Sequence, residues 1–364
     1  MVLGVSSSST HVQSLLEMAE GRCGQQHCEE AIGLLEEAVH IQPGNARLYY
    51  QIGFCHSGGC RQHRLVHPDM AEQYLRHALS QATPVAEPLL RARILDALGN
   101  LRGRRVTDAA ALKEAIACHQ EAAEIYRRGD RLDDWAREEF NQANIWCDLP
   151  EAEFPEKWAE AVNHYENALR VRTQVTDPKR YAATMMNLGT ALRQVRSGDK
   201  AGNILRAVRC YRAALRVYTF HACPNQVAGN CNNLGNACLT YPSRDQPSRT
   251  RHARYALRHF ERALEVWNPE AHPYYYALAQ YNRGCVCLQM AASPEQMEKA
   301  LACFTDAFEC ARSCGNAELQ RLAGAQLESL VLAVHSPGQS IGKPELHRGR
   351  ATAAENVRHH GATE

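Results

Sequence analysis

Apolar residues recur along this chain at helical spacing. Within 157–173, Trp158, Val162, Tyr165, Leu169 and Val171 fall largely on one face, while Glu160, Glu166 and Arg170 can face water. Related segments return through the chain: LLEEAVHI (34–41), YLRHALSQ (74–81), HQEAAEIY (119–126), HYENALRV (164–171), CYRAALRV (210–217), HFERALEV (259–266) and CFTDAFEC (303–310). They share Ala38, Ala78, Ala122, Ala168, Ala214, Ala263 and Ala307, spaced by 40, 44, 46, 46, 49 and 44 residues. Between them runs a second motif (QIGF, ALGN, NQAN, NLGT, NLGN, NRGC) centred on Gly53, Gly99, Ala143, Gly189, Gly235 and Gly284. Two interleaved motifs with one period predict a repeated helical hairpin. The alanine and glycine columns have a steric reading: with little side chain there, the two helices of a hairpin approach closely. Breakers separate the helices at 67–69, 149–156, 197–203 and 241–248. The pattern predicts eight first helices and seven second helices, the last, at 318–334, acting as a lid.

The stretch AEGRCGQQHCEEAIGLLEEAVHIQPGN (19–45) resembles a tetratricopeptide repeat, with Ala19, Ala31, Leu35, Ala38 and Pro43 at the signature positions. Gly53, Ala71, Leu75 and Ala78 continue it after an insertion. Later repeats exceed the family's usual ~34 residues by about ten. The segment 187–219 is similar to the long-insert repeats of bacterial proteins. The resemblance covers residues 12–335. It implies an all-α, right-handed superhelical solenoid of antiparallel helix pairs, about seven repeats plus a capping helix. Residues 1–11 are expected to form a flexible N-terminus. Residues 336–364, rich in Gly, Pro, Ser and His and without apolar periodicity, are expected to form a disordered tail.

Charge narrows the partners. Lys plus Arg number 41 against 40 Asp plus Glu, so no net field steers the chain toward nucleic acid or anionic membrane. No apolar run approaches the ~20 residues of a membrane span. The start MVLGVSSSST lacks the basic residues and long apolar core of a signal peptide. The 15 cysteines are scattered, often inside helical patterns, which suits reduced thiols in the cytoplasm better than a secreted disulfide framework.

In such a solenoid the first helix of each pair lines the inner surface, which directs attention to what those helices carry. Two residues before the small column stand Asn141, Asn187, Asn233 and Asn282; one residue after it stand Asn100, Asn144 and Asn236. The two sets are three residues apart, hence on one helical face. An amide offers a donor beside an acceptor, matching the N–H and C=O of an extended peptide. The resemblance adds that peptide-binding tetratricopeptide proteins, including kinesin light chains and chaperone-tail clamps, use asparagines at places matched by Asn187, Asn233 and Asn282, or by Asn144 and Asn236. Arg93 and Arg137 precede Asn100 and Asn144, but the paired lysines of the chaperone clamp are missing. The competing reading has the amides bridge helices inside the stack. Asn is a poor mid-helix residue, so its repetition argues for a compensating contact. The expected function is a non-catalytic scaffold or adaptor that holds a partner protein or extended peptide and needs no cofactor.

Two Cys/His patterns compete with that reading. The insertion FCHSGGCRQHRLVH (54–67) places Cys55, Cys60, His63 and His67 as Cys-x4-Cys-x2-His-x3-His. These are zinc-type ligands, but the spacing matches no common module and no bound metal is expected. The alternative function is therefore a metal- or thiol-responsive assembly protein, its thiol pairs being Cys55 with Cys60 or Cys23 with Cys28. The second pattern, Cys118, His164, Cys210, His259 and Cys303, sits four residues before the shared alanines. Equivalent helices of successive repeats lie ~16–20 Å apart, too far to share an ion, so these are expected to be packing positions. No Gly-rich phosphate loop, nucleophile elbow or His-Glu-x-x-His appears, and catalysis is not expected.

Overall fold

The structure, a computed structural model, describes residues 3–25, 27–58, 67–104, 108–243, 245–290 and 294–335. These form fifteen α-helices and no strand: α1 Leu3–Gly24, α2 Cys28–Ile41, α3 Ala46–His56, α4 Pro68–Gln81, α5 Pro88–Gly103, α6 Ala109–Arg128, α7 Leu132–Asp148, α8 Lys157–Leu169, α9 Pro178–Gln194, α10 Lys200–Leu215, α11 Pro224–Thr240, α12 Gln246–Leu264, α13 Pro273–Met290, α14 Pro294–Ser313 and α15 Ala317–His335. The helical repeat expected from the periodicity is present, and α15 stands where the lid helix was expected. Two boundaries differ from the sequence reading. Helix α1 begins at Leu3, inside the segment expected to be a flexible start. The stretch 12–335, read as one array, divides into two compact units, the chain boundary falling between Arg172 and Thr173. The first is built from α1–α8 and the second from α9–α15. The expected tail lies outside the described residues.

Local chemistry sets the helix ends. Asp177, Asp199 and Asp245 each cap a helix by accepting the backbone N–H three residues on, at 3.0, 2.9 and 2.7 Å. Proline occupies one of the first two positions of α4, α5, α9, α11 and α12, where no N–H is required. In the link before α10, Gly198 adopts φ +72°, a left-handed conformation that glycine takes without penalty.

The two columns are helix contacts. All seven shared alanines have no exposed surface. Three residues before each stands a large side chain, and in five hairpins it lies flat against the glycine of the first helix. A Cβ added at Gly53, Gly99, Gly189, Gly235 or Gly284 would fall 2.8, 2.6, 2.7, 2.5 or 2.8 Å from Leu75, His119, Tyr211, Phe260 or Phe304. Each of these five hairpins is thus locked by a bulky knob over a glycine.

Within each unit the first helices also touch one another: α3, α5 and α7 in the first unit, α9, α11 and α13 in the second. Cys118, Cys210 and Cys303 are buried, and His164 and His259 half-buried, each in its own hairpin as packing requires.

Candidate functional site

In the first unit the sequence-derived positions are largely engaged with their neighbours. Asn100 donates its amide to Asp96 Oδ1 at 2.7 Å. Asn144 accepts from the Tyr165 hydroxyl at 2.7 Å, bridging α7 to α8. Asn141 is half-buried and Arg93 exposed. Arg137, offered as a partner for a terminal carboxylate, is held by three side-chain carboxylates: Asp134 at 2.6 Å, Glu138 at 3.3 Å and Asp96 at 3.4 Å.

Arg137 belongs to a buried polar network that the repeat pattern conceals. His119 fills the knob position taken by Tyr211, Phe260 and Phe304 elsewhere, so its ring packs on Gly99 like an aromatic. Its Nδ1–H points at Glu138 Oε2, 2.7 Å away, and both side chains lack exposed surface. Burial first, and the Asp96 charge second, raise the Glu138 carboxyl to about 6 against the opposing pull of His119 and Arg137. For His119, burial pulls the imidazolium down, but the Glu138 hydrogen bond and the Glu138 and Asp96 charges outweigh it, and the net shift is upward. Asp96, His119 and Glu138 bring ligand-type atoms within 4.8 Å of one another. The guanidinium of Arg137, in reach of both carboxylates, already fills the cation's electrostatic role there.

The second unit is different. Its ladder positions Asn187, Asn233, Asn236 and Asn282 are all buried, not exposed on an open wall as expected. Helices α9 and α13 both touch α11. Helix α11 is buried on every side from Val227 to Ala237, a stretch that includes Ala228, Gly229, Gly235 and Ala237. Two further asparagines that the ladder reading missed, Asn230 and Asn232, lie in the same stretch with no exposed surface. They stand outside the shared register, so periodicity could not find them; the run AGNCNNLGNA was the available signal.

These amides are incompletely satisfied by the protein. Asn282 Nδ2 donates to Asn232 Oδ1 at 3.2 Å, linking α13 to α11. Asn230 Nδ2 donates to the Gln226 carbonyl at 3.2 Å. Among the described residues, Asn232 Nδ2, Asn230 Oδ1, Asn282 Oδ1 and both amide atoms of Asn236 find no hydrogen-bond partner. Each such group costs about 1–3 kcal/mol when left dry. Beside them is space. Gly229 is buried, yet a Cβ built on it would meet no atom within 4 Å, the reverse of Gly235 further along the same helix. Asn232, Asn233 and Asn236 follow Gly229 by three, four and seven residues and share its face. The arrangement offers neutral donors and acceptors beside unfilled room.

The insertion does not assemble as a ligand set within the described residues, since Cys60 and His63 lie outside them. Cys55 is turned into the core, its Sγ 3.1 Å from that of Cys23 on α1. His67 is exposed, with its ring 5.8 Å from that of buried His56. Of the expected thiol pairs, Cys55 with Cys60 lies outside the described residues; Cys23 contacts Cys55, and Cys28 is buried in the same cluster. No helix among the described residues is long and apolar enough to cross a membrane.

No protein-family model matches the chain, and a comparison with curated proteins finds no match. Solved structures do match. The apo form of the quorum sensor NprR from B. thuringiensis superposes with a TM-score of 0.55 at 12% identity, covering 90% of this chain and 82% of that one. At that identity, and with 109 solved chains matching, the likeness speaks for the fold. The chain has the fold of an all-α, tetratricopeptide-like helical repeat protein.

Proposed function

We propose that this chain is a non-catalytic, cytoplasmic regulatory protein that binds an extended peptide segment, and that the amide cluster of α9, α11 and α13 is where the peptide backbone is held. The observation that carries the proposal is Asn236. Its side chain is 2% exposed, and neither its amide nitrogen nor its oxygen has a partner among the described residues. Asn232 and Asn282 add one free donor and one free acceptor from adjacent helices. A peptide group presents one acceptor and one donor, so an extended backbone supplies what these amides lack, whatever its side chains. Fold likeness to a quorum sensor adds support of a coarser kind. The first unit, whose Asn100, Asn144 and Arg137 are engaged internally, has the supporting role in this scheme.

The test is affinity selection of the full chain against a random library of end-capped peptides, read by sequencing. The proposal expects enrichment on the wild type that Asn236→Ala with Asn282→Ala reduces at least tenfold, with unchanged helicity. No enrichment on the wild type overturns peptide binding. Equal enrichment on the double variant overturns the placement in the amide cluster.

A further inference from the structure

We propose that Cys23 and Cys55 form a site of reversible oxidation, at which a peroxide closes a disulfide that ties α1 to α3. The two residues are 32 positions apart, yet their sulfurs lie 3.1 Å from each other. The S–S bond is ~2.05 Å long, so the atoms need close by only about 1 Å. Their surroundings hold them in place. Cys55 is 3% exposed in a cluster with Leu15, Leu16, Leu35, Leu48 and Ile52, and Cys23 packs half-buried against that cluster. On the outer side of the same helices, Glu20 accepts from Arg47 at 2.9 Å and from Gln51 at 3.3 Å, clasping α1 to α3 a second time. The contact therefore joins two already apposed helices and asks little movement of either.

The chemistry balances with a peroxide as oxidant. Cys23, the more accessible thiol, attacks the peroxide as thiolate; the O–O bond breaks, one oxygen stays as the sulfenic acid and hydroxide leaves. The Cys55 sulfur then displaces that oxygen, which departs with the Cys55 proton as water, and the S–S bond forms. A dithiol reductant reverses the step by exchange, returning both thiols and leaving its own disulfide. Cys28, buried in the same cluster, is the natural competitor for the sulfenic acid. The inference is independent of peptide binding.

The experiment titrates the reduced full-length chain with hydrogen peroxide, blocks remaining thiols, and maps peptides by mass spectrometry with and without reductant. The expected result is a Cys23–Cys55 linked peptide as the first product at stoichiometric peroxide, lost in Cys23→Ser and in Cys55→Ser but retained in Cys28→Ser and Cys60→Ser. The oxidised protein should melt higher by roughly 5–10 °C and revert with dithiothreitol. A first product linked through Cys28 or Cys60, or sulfinic acid at Cys23 with Cys55 still reduced, overturns the proposal. The wild-type map alone decides between these, even where the Cys55→Ser chain folds poorly.

Discussion

Asn282 donates its side-chain N–H to the side-chain oxygen of Asn232 across 50 residues of sequence, with neither side chain exposed. The pair joins first helices of successive repeats, so this part of the asparagine ladder bridges neighbours sideways. It also leaves Asn232 one unmet donor and Asn282 one unmet acceptor. Bridging and unmet hydrogen-bonding capacity thus coexist in one pair of amides.

Replacing either partner alone should cost about 1–3 kcal/mol, because the survivor keeps a buried polar group without its mate. Replacing both with alanine should cost less than the two single changes added together. Urea denaturation of the four proteins of the cycle measures the coupling, expected at about 1 kcal/mol. Strict additivity would mean that the amides do not interact.

Two glycines of α11 should respond with opposite signs. Gly235→Ala drives a Cβ to 2.5 Å from the Phe260 ring and should destabilise by about 1–3 kcal/mol. Gly229→Ala enters open space and should stabilise by about 0.5–1 kcal/mol through helix propensity. The larger Gly229→Leu should spare the melting temperature while weakening peptide enrichment tenfold or more. Matching effects at the two positions would show that no room exists at Gly229.

The buried histidine makes first-unit stability depend on pH. Glu138 and His119 both have folded-state pKa values above their unfolded ones, 4.5 and 6.5. Their stabilising contributions are complete below those unfolded values and are lost as pH rises, through about 6 for Glu138 and above 6.5 for His119. The urea midpoint should therefore decline from pH 5 to pH 8.5. His119→Phe restores the aromatic knob of the other hairpins but leaves Glu138 Oε2 without its His119 partner, and should cost about 2–3 kcal/mol at pH 8. Adding Glu138→Leu should recover most of that loss and flatten the pH dependence. A slope that survives in the double variant would place its source elsewhere.

Neighbouring cysteines of α13 should differ sharply in reactivity. A hydrogen bond from Cys303, aided by Arg283 and Lys299, lowers the Cys287 thiol, whereas burial pushes Cys285 up to about 12. Iodoacetamide at pH 7 should label Cys287 well ahead of Cys285. Arg283→Gln should slow the Cys287 labelling. Peptide mapping of a time course gives the order directly.

Sequence alone determined the hairpin. Ala214 and Gly189 recur at fixed spacing because the helices they join are adjacent in the chain, and every repeat must solve the same packing problem with nearby residues. It also marked Asn233 and Asn282, since they ride on that period. It did not show that His119 plays the part of Phe260 while pairing with Glu138, because one residue type concealed two roles. Tertiary structure alone decided that Asn100 and Asn144 are engaged within their unit while Asn232, Asn236 and Asn282 retain unmet bonds. It alone set Cys23 against Cys55. Those outcomes depend on which particular side chains meet at each position, and that varies from repeat to repeat without leaving a period in the chain to read.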